Sequence, residues 1–134
     1  MTRELRLRAS LLVLRVTLAL VFAFWALDKI LHPEHAGRVF DRFYRLPGLG
    51  APTLAAIGAA QLALTTAFVA GLAKRATYGA ELALHAISTF SSYRQYLDPF
   101  GNLLFFAAWP MLAACLALYL LRDLDTLGTV RRAR

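Results

Sequence analysis

Apolar positions in this chain come in long blocks, with little of the alternation of a strand or the narrow stripe of a surface helix. Residues 51–73 contain no charge over 23 positions, about 34 Å as a helix and enough to cross a ~30 Å hydrocarbon core. Residues 99–121 form a second uncharged block of 23. Two further blocks are interrupted, 9–27 by Arg15 and 76–93 by Glu81 and His85. Neither has the full polar face of a helix lying on a membrane, so both are read as spans, with an interfacial position as the alternative. The pattern predicts four transmembrane helices, at about 9–30, 51–73, 76–94 and 100–121, and a basic tail over 122–134. Basic residues precede the first block as in a signal peptide, but Arg15 interrupts it and residues 24–29 make a poor cleavage site, so it is kept as helix 1.

The connection over residues 31–50 holds Pro33, Pro47, Gly48 and Gly50 and reads as partly loop. Within it, His35 to Tyr44 has Val39, Phe40 and Phe43 on one side and Arg38 and Asp41 on the other, the pattern of a short interfacial helix. Trp109 falls mid-span beside Pro110, whose ring removes the hydrogen bond to the Phe106 carbonyl and predicts a kink in helix 4. Small residues on helix 2 (Ala55, Ala59 and Ala63, with Gly58 and Ala60 nearby) predict a close approach to a neighbour.

Composition agrees with a membrane and excludes the soluble classes. Hydrophobic residues are 59% of the chain, charged residues 17% and mean hydropathy +0.54. A net charge of +7 on such a chain points to sidedness in a bilayer, with no nucleic-acid partner. By the predicted loops, nine Lys and Arg lie on one side and five on the other, which places both termini in the cytoplasm of a bacterial inner membrane. The fold class expected is therefore all-α: a single-domain integral membrane four-helix bundle, N-in and C-in, with a short outer-face interfacial segment between helices 1 and 2.

Ionisable groups inside hydrocarbon are costly and seek partners. Arg15 and Glu81 each lie about six residues into their predicted helices from the cytoplasmic side, so they are expected to pair, with snorkelling of Arg15 to the headgroups as the alternative. Glu81, His85, Ser88 and Ser92 follow helical spacing and form a polar stripe; Gln61 and Thr65 form a shorter one, and Asn102 opens helix 4. Together they form a polar spine, either a proton or quinone site or a set of interhelical hydrogen bonds that fixes the bundle. On the outer side Lys29, His32, Tyr93, Arg94 and Tyr96 are candidates for a quinone or partner site, Lys29 or Arg94 to stabilise oxygen charge and His32 to move protons. Asp28, His32 and His35 have a spacing that metals use, but Pro33 bends the chain between the histidines, and no metal is assigned. A single cysteine, Cys115, excludes an internal disulfide or thiol relay, and no CxxC, phosphate loop or HExxH is present.

Arg15, Phe22 and Lys29, with Gln61, Gly71 and Lys74-Arg75 following, resemble the first half of the DoxX family of small four-helix membrane proteins. Lys29-Ile-Leu-His-Pro33 and Tyr44-Arg-Leu-Pro47 are similar to the related MauE-type proteins. The likeness covers residues ~11–76; the second half matches in hydropathy alone. Where the DoxX pattern has a glutamate on helix 2, this chain has Gln61, which hydrogen-bonds but carries no charge. The resemblance implies membrane redox physiology: quinone-coupled oxidation or support of periplasmic redox enzymes. It implies lipid contact, a possible quinone, no covalent cofactor, and a protein partner or a homo-oligomer. A purely structural subunit and an oligomeric small-solute transporter are the alternatives.

Overall fold

The computed structural model describes residues 1–130, all-helical and without strands among them. Helix α1 (Arg3–Leu31) is capped by Thr2, whose hydroxyl accepts the Leu5 N–H at 3.2 Å. It stops at His32 because the residue before a proline is pushed out of the helical region. Pro33 then opens α2 (Pro33–Tyr44), its fixed φ suited to a first turn. Arg45, at φ 54°, ends α2 in the left-handed region, and the Leu46 N–H returns to the Phe40 carbonyl at 3.2 Å. Helix α3 (Ala51–Val69) and helix α4 (Lys74–Ser91) follow, joined by a turn through Gly71 at φ 68°. A single turn α5 (Tyr93–Tyr96), a 3₁₀ segment (Leu103–Ala107) and α6 (Ala108–Leu120) complete the order.

Three helices are long and apolar enough to cross a membrane: Arg3–Leu31, Ala51–Val69 and Leu103–Leu120, with mean hydropathies of 2.2, 1.5 and 2.1. The 18-residue α4 is not among them, since Lys74, Arg75, Glu81 and His85 dilute it. Its polarity points inward: Glu81, His85 and Thr89 are buried, whereas Ile87 and Phe90 are more than half exposed. The same inversion holds for α1, where Arg15 is wholly buried while Val13, Leu20 and Phe24 are about 60% exposed. A water-soluble helix does the reverse; apolar residues outside and ionisable ones inside suit a lipid surround.

Helix α1 lies along α3 and also touches α6, and α4 bridges α3 and α6. Their shared core holds Leu11, Leu18, Phe22, Phe68, Tyr78 and Leu118. Phe68 meets Tyr78 edge-on at 4.9 Å between ring centroids.

Several boundaries depart from the sequence expectation. Helix α1 starts six residues early, at Arg3, because Thr2 caps it and Glu4 pairs with Arg8 one turn on. The predicted helix over 100–121 divides into a 3₁₀ segment and a shorter α6. Pro110 therefore occupies the first turn of α6, where its missing N–H costs little. Residues 122–130 are no solvated tail: Asp125 is wholly buried and the Val130 N–H bonds to the Ala70 carbonyl at 2.9 Å. Arg131, Arg132 and Arg134, counted toward the cytoplasmic side, lie outside the described residues.

The close approach of α3 to α1 is made by Gly58 and not by the alanine stripe. A Cβ on Gly58 would meet the Ala26 carbonyl oxygen at 2.6 Å, whereas Ala59 and Ala63 are exposed. Gly58→Ala is expected to destabilise by about 1–2 kcal/mol, overpacking exceeding the ~1 kcal/mol helix-propensity gain. Ala63→Leu should be neutral. Denaturant unfolding in detergent, followed by circular dichroism, separates the two.

Candidate functional site

Two polar constellations occupy the interior. The first is a knot around Arg15. Its Nη1 donates to Asp125 Oδ2 at 2.7 Å, and its Nη2 donates to the carbonyls of Leu127 (2.6 Å) and Gly128 (3.3 Å). The Tyr78 hydroxyl donates to the same Asp125 oxygen at 2.7 Å. Lys74 Nζ secures the segment from outside, donating to the carbonyls of Arg122 and Asp125.

The expected Arg15–Glu81 pair is thereby overturned. Arg15 lies level with Tyr78, three residues nearer the start of α4 than Glu81 and so about 4.5 Å lower along the axis. A nearer carboxylate, Asp125, folds back from beyond α6. Glu81 accepts a hydrogen bond from Thr65 Oγ1 at 2.8 Å and, among the described residues, forms no ion pair.

The second constellation is a cavity of about 490 Å³, within the range that binds small molecules. Helix α4 supplies Glu81, His85, Ser88 and Ser92 to its wall; α3 supplies Gln61 and Thr65. Helix α1 contributes Phe22, Trp25 and Lys29. Val39, Phe40 and Phe43 of α2 line the cavity too, so this short amphipathic helix turns its apolar side onto the protein as a roof. Leu84 and Ile87 line the cavity and are themselves exposed, which marks the side on which it opens.

His85 is the best-defined group there. Its ring stacks on Trp25 (centroids 5.9 Å, 29°) and lies 5.9 Å from Phe22. Nε2 donates to the Ala108 carbonyl at 3.1 Å, so in the neutral ring Nδ1 is a bare acceptor. That Nδ1 is buried and has no partner among the described residues. A site with a carboxylate, an imidazole ring, an amide and a hydroxyl, walled by aromatic rings, suits a flat apolar molecule with polar edges. It offers an acceptor, Glu81, and donors, Lys29, Gln61 and Ser88.

The spine predicted from sequence is thus largely brought together: Gln61, Thr65, Glu81, His85, Ser88 and Ser92 share one cavity. Asn102 is not part of it. It precedes the 3₁₀ segment and donates to the Asp98 carbonyl at 3.0 Å. The outer candidates do not form one site either. Lys29 reaches the cavity, its Nζ donating to the Trp25 carbonyl at 2.9 Å, but His32 is exposed. Tyr93 and Arg94 line a second, adjoining surface depression, and Tyr96 packs between Phe106 (5.4 Å) and Trp109 (5.2 Å). Beyond α4 the chain turns through α5, which carries these side chains off the α4 wall.

Asp28 does gather both histidines, but as hydrogen-bond partners. His35 Nδ1 stands 2.7 Å from one carboxylate oxygen and His32 Nδ1 3.4 Å from the other. Among the described residues no three His, Cys, Asp or Glu are grouped to hold a metal. Sequence reading missed Asp125 and Tyr78, for which the signal was faint: one of two acids, Asp123 and Asp125, just beyond the last apolar block, and a tyrosine one turn before Glu81.

Compared with known protein families, curated proteins and solved structures, the chain shows no match.

The knot makes a direct prediction. Asp125→Ala leaves a buried guanidinium without its counter-charge and is expected to cost about 3–5 kcal/mol of stability. Tyr78→Phe should cost about 1 kcal/mol. The double variant Arg15→Met/Asp125→Leu should recover most of the loss. Unfolding in detergent measures all three; damage from Glu81→Ala equal to that from Asp125→Ala would contradict the pairing.

Proposed function

We propose that this chain is a four-span inner-membrane bundle of the DoxX-like type, with both termini cytoplasmic, and that it holds a quinone in the cavity between α1, α3 and α4. It would act as a small subunit or accessory of a membrane redox complex. The observation that carries the reading is an aromatic-walled cavity that opens toward lipid and has Glu81, His85 and Gln61 together in its lining. A bound quinone supplies two-electron redox chemistry coupled to two protons. The protein's part is to bind, to orient and to handle those protons.

Trp25, Phe22 and Phe40 offer ring surfaces to a flat head group, while Lys29 and Gln61 donate to its oxygens when oxidised. The Glu81 carboxylate accepts from a hydroxyl of the reduced head group, and His85 lines the wall one turn further along α4. The apolar opening at Leu84 and Ile87 leaves room for a tail to run out among lipid chains. In α4 the inward polarity and outward Ile87 and Phe90 support its being the fourth span, despite its lower hydropathy. The DoxX resemblance gains a physical point as well: Gln61 stands where the family has a carboxylate, and Glu81 brings one into the same cavity from the neighbouring helix.

Titration of the detergent-solubilised protein with a short-tail ubiquinone or menaquinone, followed by tryptophan quenching, tests this reading. Saturable binding is expected, weakened about tenfold, the worth of one hydrogen bond to a charged group, by Glu81→Gln and by His85→Leu. Arg38→Gln, on the exposed side of α2, should leave it unchanged. Absence of saturable quenching, or equal affinity in all variants, would sink the quinone assignment and leave a structural subunit.

A further inference from the structure

A second depression, of about 410 Å³, lies between the C-terminal end of α2 and α5, adjoining the histidine-bearing cavity at Phe43 and Ser91. Three guanidiniums line it, those of Arg42, Arg45 and Arg94, against a single carboxylate, Asp41. Among the described residues none of the three arginines forms an ion pair. Two lie against aromatic neighbours: Arg42 is 5.6 Å from the Phe43 ring centroid and Arg94 5.9 Å from that of Tyr93. Arg94 Nε also donates to the Tyr93 hydroxyl at 3.2 Å. That hydrogen bond, the Arg94 charge and the charge of Arg45 hold the Tyr93 phenol below its usual range. Three like charges around one depression repel one another until an anion is placed among them.

We infer that this depression binds the phosphate of an anionic phospholipid headgroup. Arginine forks match phosphate oxygens in pairs, and the Gln95 amide at the rim adds a neutral donor. The apolar surface next to it favours a lipid over a free anion. Leu97 and Phe100, directly after α5, are 80% and 90% exposed, and Leu103 and Leu104 beyond them are 64% and 90% exposed. Phe43, which lines the depression, stacks on Phe105 of that same apolar segment at 5.9 Å. A headgroup held by the arginines therefore has an apolar surface beside it for its acyl chains. This inference does not depend on what the His85 cavity holds.

Full-length protein in mixed micelles, presented with phosphatidylglycerol or phosphatidylcholine and read by native mass spectrometry, tests it. Wild type is expected to retain phosphatidylglycerol at least tenfold over phosphatidylcholine. Each of Arg42→Gln and Arg94→Gln should reduce that preference about fivefold, with the helical circular dichroism unchanged. Arg38→Gln, outside the depression, should not change it. Equal retention of the two lipids overturns the inference, as does a preference that survives in the Arg42→Gln/Arg94→Gln variant or falls equally in Arg38→Gln. Displacement of phosphatidylglycerol by millimolar inorganic phosphate reassigns the site to a free anion and overturns it as a lipid site.

Discussion

A guanidinium buried at full depth among apolar helices is the constraint around which this protein is organised. Arg15 has no exposure, and an isolated charge there would be untenable. Its neutralisation requires a carboxylate and several carbonyls at one point, and no helix on its own supplies them. The chain meets the demand by folding back after α6, so that Asp125, Leu127 and Gly128 reach Arg15 together. Tyr78 ties α4 to the same oxygen, and Lys74 clamps the segment from outside. One charge thus joins the first helix, the fourth and the last segment of the described chain. Gly71 belongs to the same arrangement: a Cβ there would meet Thr129 at 2.6 Å.

With Arg15 paired to Asp125, Glu81 takes no part in that ion pair. It faces a cavity together with His85, and among the described residues its one side-chain hydrogen bond comes from a neutral hydroxyl. The knot and the cavity are about one helical turn apart on α4, a separation between a charge held for stability and polar groups left free for a ligand. Helix α2 completes the enclosure: Val39, Phe40 and Phe43 cover the cavity, while its arginine-bearing end lines the second depression. The amphipathicity of that short helix thus serves two surfaces of the protein.

Much of this was legible in residue spacing. The polar stripe on residues 81–92 and the pair Gln61 and Thr65 do converge, because an α-helix holds i, i+4 and i+7 on one face whatever surrounds it. The apolar side of residues 35–44 was legible for the same reason, although its target was protein and not lipid. What failed was every inference about depth. Placing Arg15 opposite Glu81 assumed that helix ends follow apolar block ends, and the Thr2 cap extends α1 well beyond its block. Placing Tyr93, Arg94 and Tyr96 with Lys29 assumed one continuous helix to residue 94, where the chain turns at Ser92.

The sequence by itself determined an all-helical chain, four apolar blocks of which three form helices apolar enough to cross a membrane, and which faces of α2, α3 and α4 carry polar groups. These are properties of composition and helical period, and both are local. Only the tertiary structure decided that Asp125 and not Glu81 neutralises Arg15, that Gly58 and not the alanines brings α3 onto α1, and that the arginines of α2 and α5 meet. Those outcomes depend on relative translation between helices. A shift of one turn, about 5.4 Å, exchanges one partner for another without altering any helix's own pattern.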